Sequence, residues 1–217
     1  MRRVLLALAI SLVVTDTAAA QIIRPPARSG QASAWTSLSI GWLQQQGLCD
    51  RNSNDCWDFG SGPQWRASLE MPMGFGGTTV GLVGTIAKMP LIYNGSALST
   101  NSCAGCDADA TVSQVMANVR MGGGLGFHQV VDLSAGTTMF SNFRASNGGA
   151  KLGTGKMTQD FTFAVAYGFG YGMSPRTQFF FTQEFALLFL PRVAGSNSNT
   201  AQQATLRLGA RYGLGGK

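Results

Sequence analysis

Hydrophobic and polar positions alternate along most of the chain, and the alternation is clearest between Met157 and Val193. Two apolar runs flank the turn-like segment Gly172–Arg176. In the first run, large residues such as Phe161 and Phe163 occupy every second position, and small residues lie between them. Because successive side chains of a strand point to opposite faces, this period of two predicts a hairpin of two long strands.

The two faces of this hairpin differ in an unusual way. One is strongly aromatic, and the other is small and weakly polar, with charge nearly absent from both strands. A soluble sheet would bury the aromatic face and expose a charged one, whereas a membrane barrel turns its apolar face toward lipid and its small or polar face toward the lumen. The pattern therefore predicts part of a transmembrane barrel wall. The predicted lipid-facing residues are Trp65, Phe161, Phe163, Tyr167, Phe169, Phe179, Phe181, Phe185 and Phe189.

The same alternation predicts further strands on both sides of the hairpin. They span Ala32–Gln44, Pro63–Met73, Thr78–Pro90, Thr111–Phe127, Val131–Phe143 and Ala201–Leu214. Together with the hairpin this gives about eight strands, each long enough to cross a membrane when tilted.

The predicted connections alternate between long and short. The long, polar ones are Gln45–Gly62, Leu91–Ala110, Asn142–Lys156 and Arg192–Thr200. The short ones are Gly74–Gly77, His128–Val130 and Gly172–Arg176. Outer-membrane barrels have long extracellular loops and short periplasmic turns. The predicted fold class is therefore all-β, a single closed antiparallel transmembrane β-barrel of about eight strands with up-and-down topology.

The first residues match a secretory signal peptide, with Arg2 and Arg3 before an apolar centre and small residues at Ala18–Ala20. We expect residues 1–20 to be a signal peptide cleaved before Gln21. The predicted organisation then continues with a flexible lead over residues 21–31 and the barrel over residues 32–217.

Charge is sparse and scattered. Charged residues make up 12% of the chain, against roughly 25% in soluble domains. The formal net charge is +6, but the basic residues form no cluster, so we predict no nucleic-acid partner. Asp50, Asp55 and Asp58 lie in one predicted loop but lack the ordered spacing of a calcium loop, and neither a cofactor nor a metal site is predicted.

The cysteines form two close pairs, Cys49 with Cys56 and Cys103 with Cys106, and both pairs lie in predicted long loops. An even number of cysteines in an exported chain predicts disulfides. We expect each pair to bond locally, although the CxxC spacing of the second pair also fits a redox motif, and four thiolates could bind zinc.

The inward positions collect the charged side chains of the predicted strands. A narrow barrel cannot hold these groups unpaired without a large desolvation cost, so we expect ion pairs. We predict a pair between Glu184 and Arg207, and one between Glu70 and either Arg211 or Arg120. Two interpretations stay open, a selectivity ring in a small channel and a plug that closes the lumen, and the narrow interior of an eight-stranded barrel favours the plug. The predicted lumen network is Arg66, Glu70, Arg120, Glu184, Arg207 and Arg211.

Enzymatic function is not expected. The single histidine, His128, is predicted at a short turn, and Asp132 four residues later does not complete a catalytic triad with it. The glycine-rich stretch Gly122–Gly126 lacks the lysine and helix of a nucleotide-binding loop, and we interpret it as a strand of small residues.

Aromatic residues near strand ends are typical of the interfacial girdles of membrane barrels. The expected outward members are Trp35, Trp42, Trp65, Tyr93, Tyr167, Tyr171 and Tyr212. By the pattern of its strands and loops the chain, from Ala32 to Leu214, resembles the small OmpA/OmpX-like outer-membrane barrel family. One departure is that members of that family typically end on an aromatic residue, whereas this sequence ends in Gly-Gly-Lys.

The resemblance implies a location in the cell outer membrane and partners that include outer-membrane lipid, lipopolysaccharide and the barrel insertion machinery, and extracellular ligands through the loops. The predicted role is structural or in surface interaction, such as envelope integrity or adhesion, with a lumen plugged by charged side chains. The alternatives are a narrow porin-like channel for small solutes and a soluble, lipocalin-like ligand-binding barrel.

Overall fold

A computed structural model of the chain describes residues 32–49, 55–74, 77–95, 105–146, 149, 151–152, 159–189 and 200–215. The predicted signal peptide and lead, residues 1–31, lie outside this part. The strands are β1 (Ala34–Gln45), β2 (Leu48–Cys49), β3 (Cys56–Phe59), β4 (Ser61–Pro72), β5 (Thr79–Asn94), β6 (Cys106–Met121), β7 (Gly126–Ala145), β8 (Gln159–Ser174), β9 (Thr177–Phe189) and β10 (Thr200–Leu214). Across these ranges no helix is long and apolar enough to span a membrane.

Eight of the strands close into an antiparallel barrel. Each pairs with its neighbour in the order β1, β4, β5, β6, β7, β8, β9, β10, and β10 returns to β1. The closing pair runs in continuous register from Ala34 opposite Leu214 to Gln45 opposite Gln203. Consecutive barrel strands are neighbours throughout, so the predicted up-and-down barrel is confirmed.

The loop end of the barrel contains more strand than the sequence predicted. The supposed loop Gln45–Gly62 includes β2 and β3, and β3 pairs with the outer part of β5 from Cys56 opposite Asn94 to Phe59 opposite Leu91. These segments are ordered because Leu48, Trp57 and Phe59 bury their side chains inside the barrel mouth. Burial of such apolar groups stabilises the pairing of β3 with β5. The polar residues between these apolar groups concealed the two strands in the sequence.

The turn between β6 and β7 was predicted at the wrong place. His128–Val130 lies within β7, and the chain reverses over Gly122–Leu125. Gly122 and Gly124 have φ values of 98° and 146°, which glycine adopts far more readily than other residues. The glycine stretch is therefore the turn itself and not a strand of small residues.

The outer face is apolar around the whole barrel. All nine predicted lipid-facing residues point outward; Phe161 is 55% exposed and Trp65 is 52% exposed. Ring pairs such as Phe161 with Phe189, at 5.8 Å between centroids, extend the aromatic surface along β8 and β9. Two predicted girdle residues were placed wrongly, because Trp35 and Tyr93 have inward parity, and Tyr93 is fully buried.

Replacement of Phe185 by Arg tests the lipid-facing surface near mid-strand. If this surface contacts the hydrocarbon core, the Phe185→Arg barrel should lose about 2–4 kcal/mol of unfolding free energy, measured by urea unfolding in lipid vesicles with tryptophan fluorescence. The matched control is Tyr171→Arg near the turn end, where the same charge should cost only about 0–1 kcal/mol. Equal, small losses for both variants would contradict the assignment.

Candidate functional site

The interior of the barrel at its turn end is filled by charged side chains. We call this set the charged layer, and each member is at most 3% exposed. Its members are Arg66, Glu70, Arg120, Asp132, Glu184, Arg207 and Arg211. Every one occupies an inward position of its strand, because charge at the alternating outward positions would lie in the apolar outer surface.

Glu184 lies at the centre of the layer and contacts two arginines. Arg207 donates from Nη1 to Glu184 Oε2 at 2.9 Å and from Nη2 to Oε1 at 3.0 Å, so the predicted pair is present as a two-point contact. Arg66 donates from Nη1 to the same Oε2 atom. Since β4, β9 and β10 supply these three residues, one carboxylate links strands across the lumen.

The other two arginines each have a carboxylate of their own. Arg211 donates to Glu70 Oε2 at 2.7 Å, and Glu70 also accepts hydrogen bonds from the hydroxyls of Ser68 and Thr79. This contact selects Arg211 from the two partners that the sequence left open for Glu70. Arg120 instead forms a two-point contact with Asp132, through Nε and Nη2, both at 2.7 Å.

Three contributors to the layer were missed by sequence reasoning. Asp132 was considered only as a catalytic partner of His128, although it lies in the predicted strand Val131–Phe143. Phe180 and Trp35 also point inward, and the guanidinium carbons of Arg120 and Arg211 lie 4.4 Å from their respective ring centroids. Such cation–π contacts stabilise arginines at positions where no further carboxylate is available.

Farther from the turns, neutral polar side chains form a belt across the lumen. Gln114 donates from Nε2 to Thr138 Oγ1 at 3.0 Å and to Gln203 Oε1 at 2.7 Å. Gln114 is on β6 and Gln203 on β10, and these strands are four apart in the ring of eight, so their bond joins opposite walls. The belt consists of Gln45, Gln64, Thr85, Gln114, Thr138, Thr162 and Gln203.

At the loop end the interior is apolar, which the sequence analysis did not anticipate. A cluster of buried side chains, which we call the apolar cluster, includes Trp57, Tyr93, Phe140 and Phe143. Trp57 lies 5.5 Å from Phe143 and 6.1 Å from Tyr93 between ring centroids. The apolar cluster is an addition to the charged and polar lumen side chains that the sequence predicted. Charged, neutral polar and apolar side chains succeed one another from the turns to the loops.

Disulfide bonds cross-link strands at the loop end of the barrel. Cys49 and Cys56 form a disulfide that joins β2 to β3, as predicted. Cys106, at the start of β6, is also disulfide-bonded. Its predicted partner, Cys103, lies outside the described residues.

The position of His128 fits a structural role. Its side chain is half-buried near the turn end, with Nδ1 3.0 Å from the carbonyl oxygen of Gly126. Gly170 opposite makes room for the ring, since a Cβ there would lie 2.4 Å from His128 Nε2. Both oxygens of Asp132 are occupied by Arg120, so the histidine and this aspartate do not form a catalytic pair.

Comparison with known proteins identifies the fold. The structure of Neisserial surface protein A (NspA) superposes with a TM-score of 0.51 at 8% sequence identity, covering 84% of this chain and 98% of that one. OprG from Pseudomonas aeruginosa (TM-score 0.46, 12% identity, 86% and 99% covered) and Ail from Yersinia pestis (TM-score 0.40, 15% identity, 82% and 98% covered) are also similar. Because those two scores are below 0.5, the fold assignment depends on the first structure and on the barrel topology. No family model matches the chain, and no curated protein matches it by sequence.

The closed eight-stranded barrel, its apolar outer face and the likeness to Neisserial surface protein A define the class of this protein. The fold is that of an outer-membrane β-barrel. Its fold is that of the small OmpA/OmpX-like barrels, the family that the sequence pattern resembles.

Glu184→Gln tests the central contact of the charged layer. The substitution keeps the shape of the side chain but leaves Arg66 and Arg207 without a carboxylate, so we expect a loss of about 3–5 kcal/mol in unfolding free energy in vesicles. The matched control is Asp109→Asn, which breaks the surface pair of Asp109 with the exposed Lys88 and should cost at most about 1 kcal/mol. Similar losses for the two variants would exclude a special role for Glu184.

Proposed function

We propose that this protein is a closed outer-membrane barrel with a structural or surface-interaction role, in envelope integrity or adhesion, and that it is neither an enzyme nor a solute channel. The observation that carries the proposal is the direct bond between Gln114 and Gln203, at 2.7 Å, on opposite walls of the lumen. An eight-stranded barrel has an interior just wide enough for side chains, so such a bond leaves little room for a solute path.

The layers on either side of this bond support the same conclusion. On the turn side, Arg66, Glu184 and Arg207 connect three strands through charged contacts. On the loop side, the apolar cluster includes Phe59 and Phe140, whose ring centroids are 5.6 Å apart. A hydrated path for a solute would need to cross both of these layers.

The loop end offers the surface through which the protein would act. The disulfide between Cys49 and Cys56 joins β2 to β3, and β3 pairs with the outer part of β5. A cross-link of this kind limits the conformations of an exposed segment, which suits a surface that contacts lipopolysaccharide or an extracellular ligand. The insertion machinery is the expected partner during assembly.

The soluble, lipocalin-like alternative fits the structure poorly. Its outer face would need to be polar, whereas residues such as Leu82 and Leu208, at 65% and 60% exposure, cover the outside. In water a continuous apolar surface of this extent would drive aggregation. The remaining alternative is a narrow porin-like channel, and a conductance measurement distinguishes it from a closed barrel.

Conductance of the purified full chain in planar bilayers tests the closed lumen. The wild-type barrel should give no stable unitary steps, with a general porin in the same membrane as the positive control, because its interior is occupied by bonded side chains.

The double variant Gln114→Gly/Gln203→Gly removes the bond across the lumen. Comparing its unitary conductance with that of the wild type shows whether any current passes through the lumen. Stable steps in the wild type that grow in this variant would contradict the proposal and support a channel through the lumen.

A further inference from the structure

The charges of the charged layer do not balance. Arg120 has Asp132 and Arg211 has Glu70, but Arg66 and Arg207 share the single carboxylate of Glu184. Four arginines therefore face three carboxylates in this layer. One positive charge is left over, and it belongs to the pair formed by Arg66 and Arg207.

Two further acids of the described residues are buried, Asp55 and Asp160, and neither neutralises this charge. Asp55 lies at the loop end, directly before β3. Asp160 is 2% exposed and makes no hydrogen bond through its carboxylate, but it lies toward the loop end of β8. Ala166, which is opposite Glu184 in the sheet register, is six residues farther along the same strand. At about 3.3 Å per residue the separation along the strand is roughly 20 Å, too far for an ion pair.

Unsatisfied hydrogen-bonding groups surround the same two arginines. The Nε atom of Arg207 is buried without an acceptor, as is the hydroxyl of Thr182, which is opposite Arg207 in the register of β9 and β10. The hydroxyl of Ser39, opposite Arg66 on β1, is also buried without a partner. The Nδ2 atom of Asn118 completes the set, and Oδ1 of the same residue lies 3.5 Å from Nη2 of Arg66.

These groups have one chemical property in common. The guanidinium and amide nitrogens can only donate, and the two hydroxyls can donate as well as accept, so an anion is a ligand to which every one of these groups could donate. Buried polar groups in proteins are rarely left unpaired, and a buried surplus charge is more costly still. A single bound anion would satisfy both deficits.

We propose that the lumen beside Arg66 and Arg207 binds one small inorganic anion of the halide class, with Thr182 as a further donor. Such an anion is a monatomic acceptor, which a packed interior accommodates more easily than a polyatomic ion. It neutralises the charged layer and makes it a seven-residue network with a bound counterion. The site is internal to the fold, so its test does not depend on whether the barrel conducts.

The test compares chloride with gluconate at equal ionic strength. The full chain is refolded into vesicles in each sodium salt, and the urea midpoint of unfolding is followed by tryptophan fluorescence. The wild-type midpoint should rise with chloride concentration and saturate, since the anion binds only the folded barrel. Crystals grown with bromide should show an anomalous peak beside Arg207 Nε and Thr182 Oγ1.

Three variants separate an anion site from a general salt effect. Thr182→Glu supplies the missing carboxylate, and Arg66→Gln removes the surplus charge, so each should weaken the apparent chloride affinity on the order of tenfold or more. The matched control, Lys88→Gln, removes an exposed positive charge outside the site, keeps the surplus charge of the layer and should retain the chloride dependence. Equal midpoints in chloride and gluconate for the wild type would overturn the proposal and assign the orphan groups to water. An unchanged chloride dependence in a folded Arg66→Gln or Thr182→Glu barrel would also overturn it.

Discussion

Arginine inside a narrow barrel must be neutralised by groups that other strands supply, and this requirement organises the interior of the protein. A guanidinium is always charged and presents its donors in a fixed plane, so it needs carboxylates at defined positions. Glu184 meets this need for two arginines at once and thereby connects β9 to β10 and, across the lumen, to β4. The relative positions of these strands are fixed by the contact, because removing Glu184 leaves two buried guanidinium groups without a carboxylate.

In a membrane barrel apolar side chains face outward and polar side chains face inward, the reverse of a soluble protein. The interior nevertheless differs between the two ends of this barrel. Polar groups have no place on the outer surface, so they collect inside, where they bind one another at the turn end. Toward the loops, where β3 and the outer part of β5 extend the wall, aromatic side chains such as Trp57 and Tyr93 fill the interior instead. The interior therefore combines a specific polar network with an apolar cluster of the kind found in soluble cores.

The barrel and its outward faces were predictable from sequence because both depend on a period of two that runs through whole strands. Inward charges such as Arg66 and Glu184 followed from the same period. Asp132 was missed because, next to a turn predicted at His128–Val130, it was weighed only as a catalytic partner of His128 and not as an inward residue of its strand. The apolar cluster was missed for a different reason: Trp57 and Phe59 lie among polar residues in a segment too short to show periodicity. Pairings between distant strands, such as Arg211 with Glu70, depend on barrel shear and closure, which no local pattern specifies.

The most direct measurement of the central claim, a closed membrane barrel, is gel mobility of the membrane-fraction protein in SDS, unboiled against boiled. The account predicts that the protein is extracted only by detergent and that the unboiled form migrates as a compact species whose mobility shifts on heating, because a closed barrel with a bonded interior resists SDS in the cold. A single mobility before and after boiling, with the protein in a soluble periplasmic or secreted fraction, would contradict the membrane barrel.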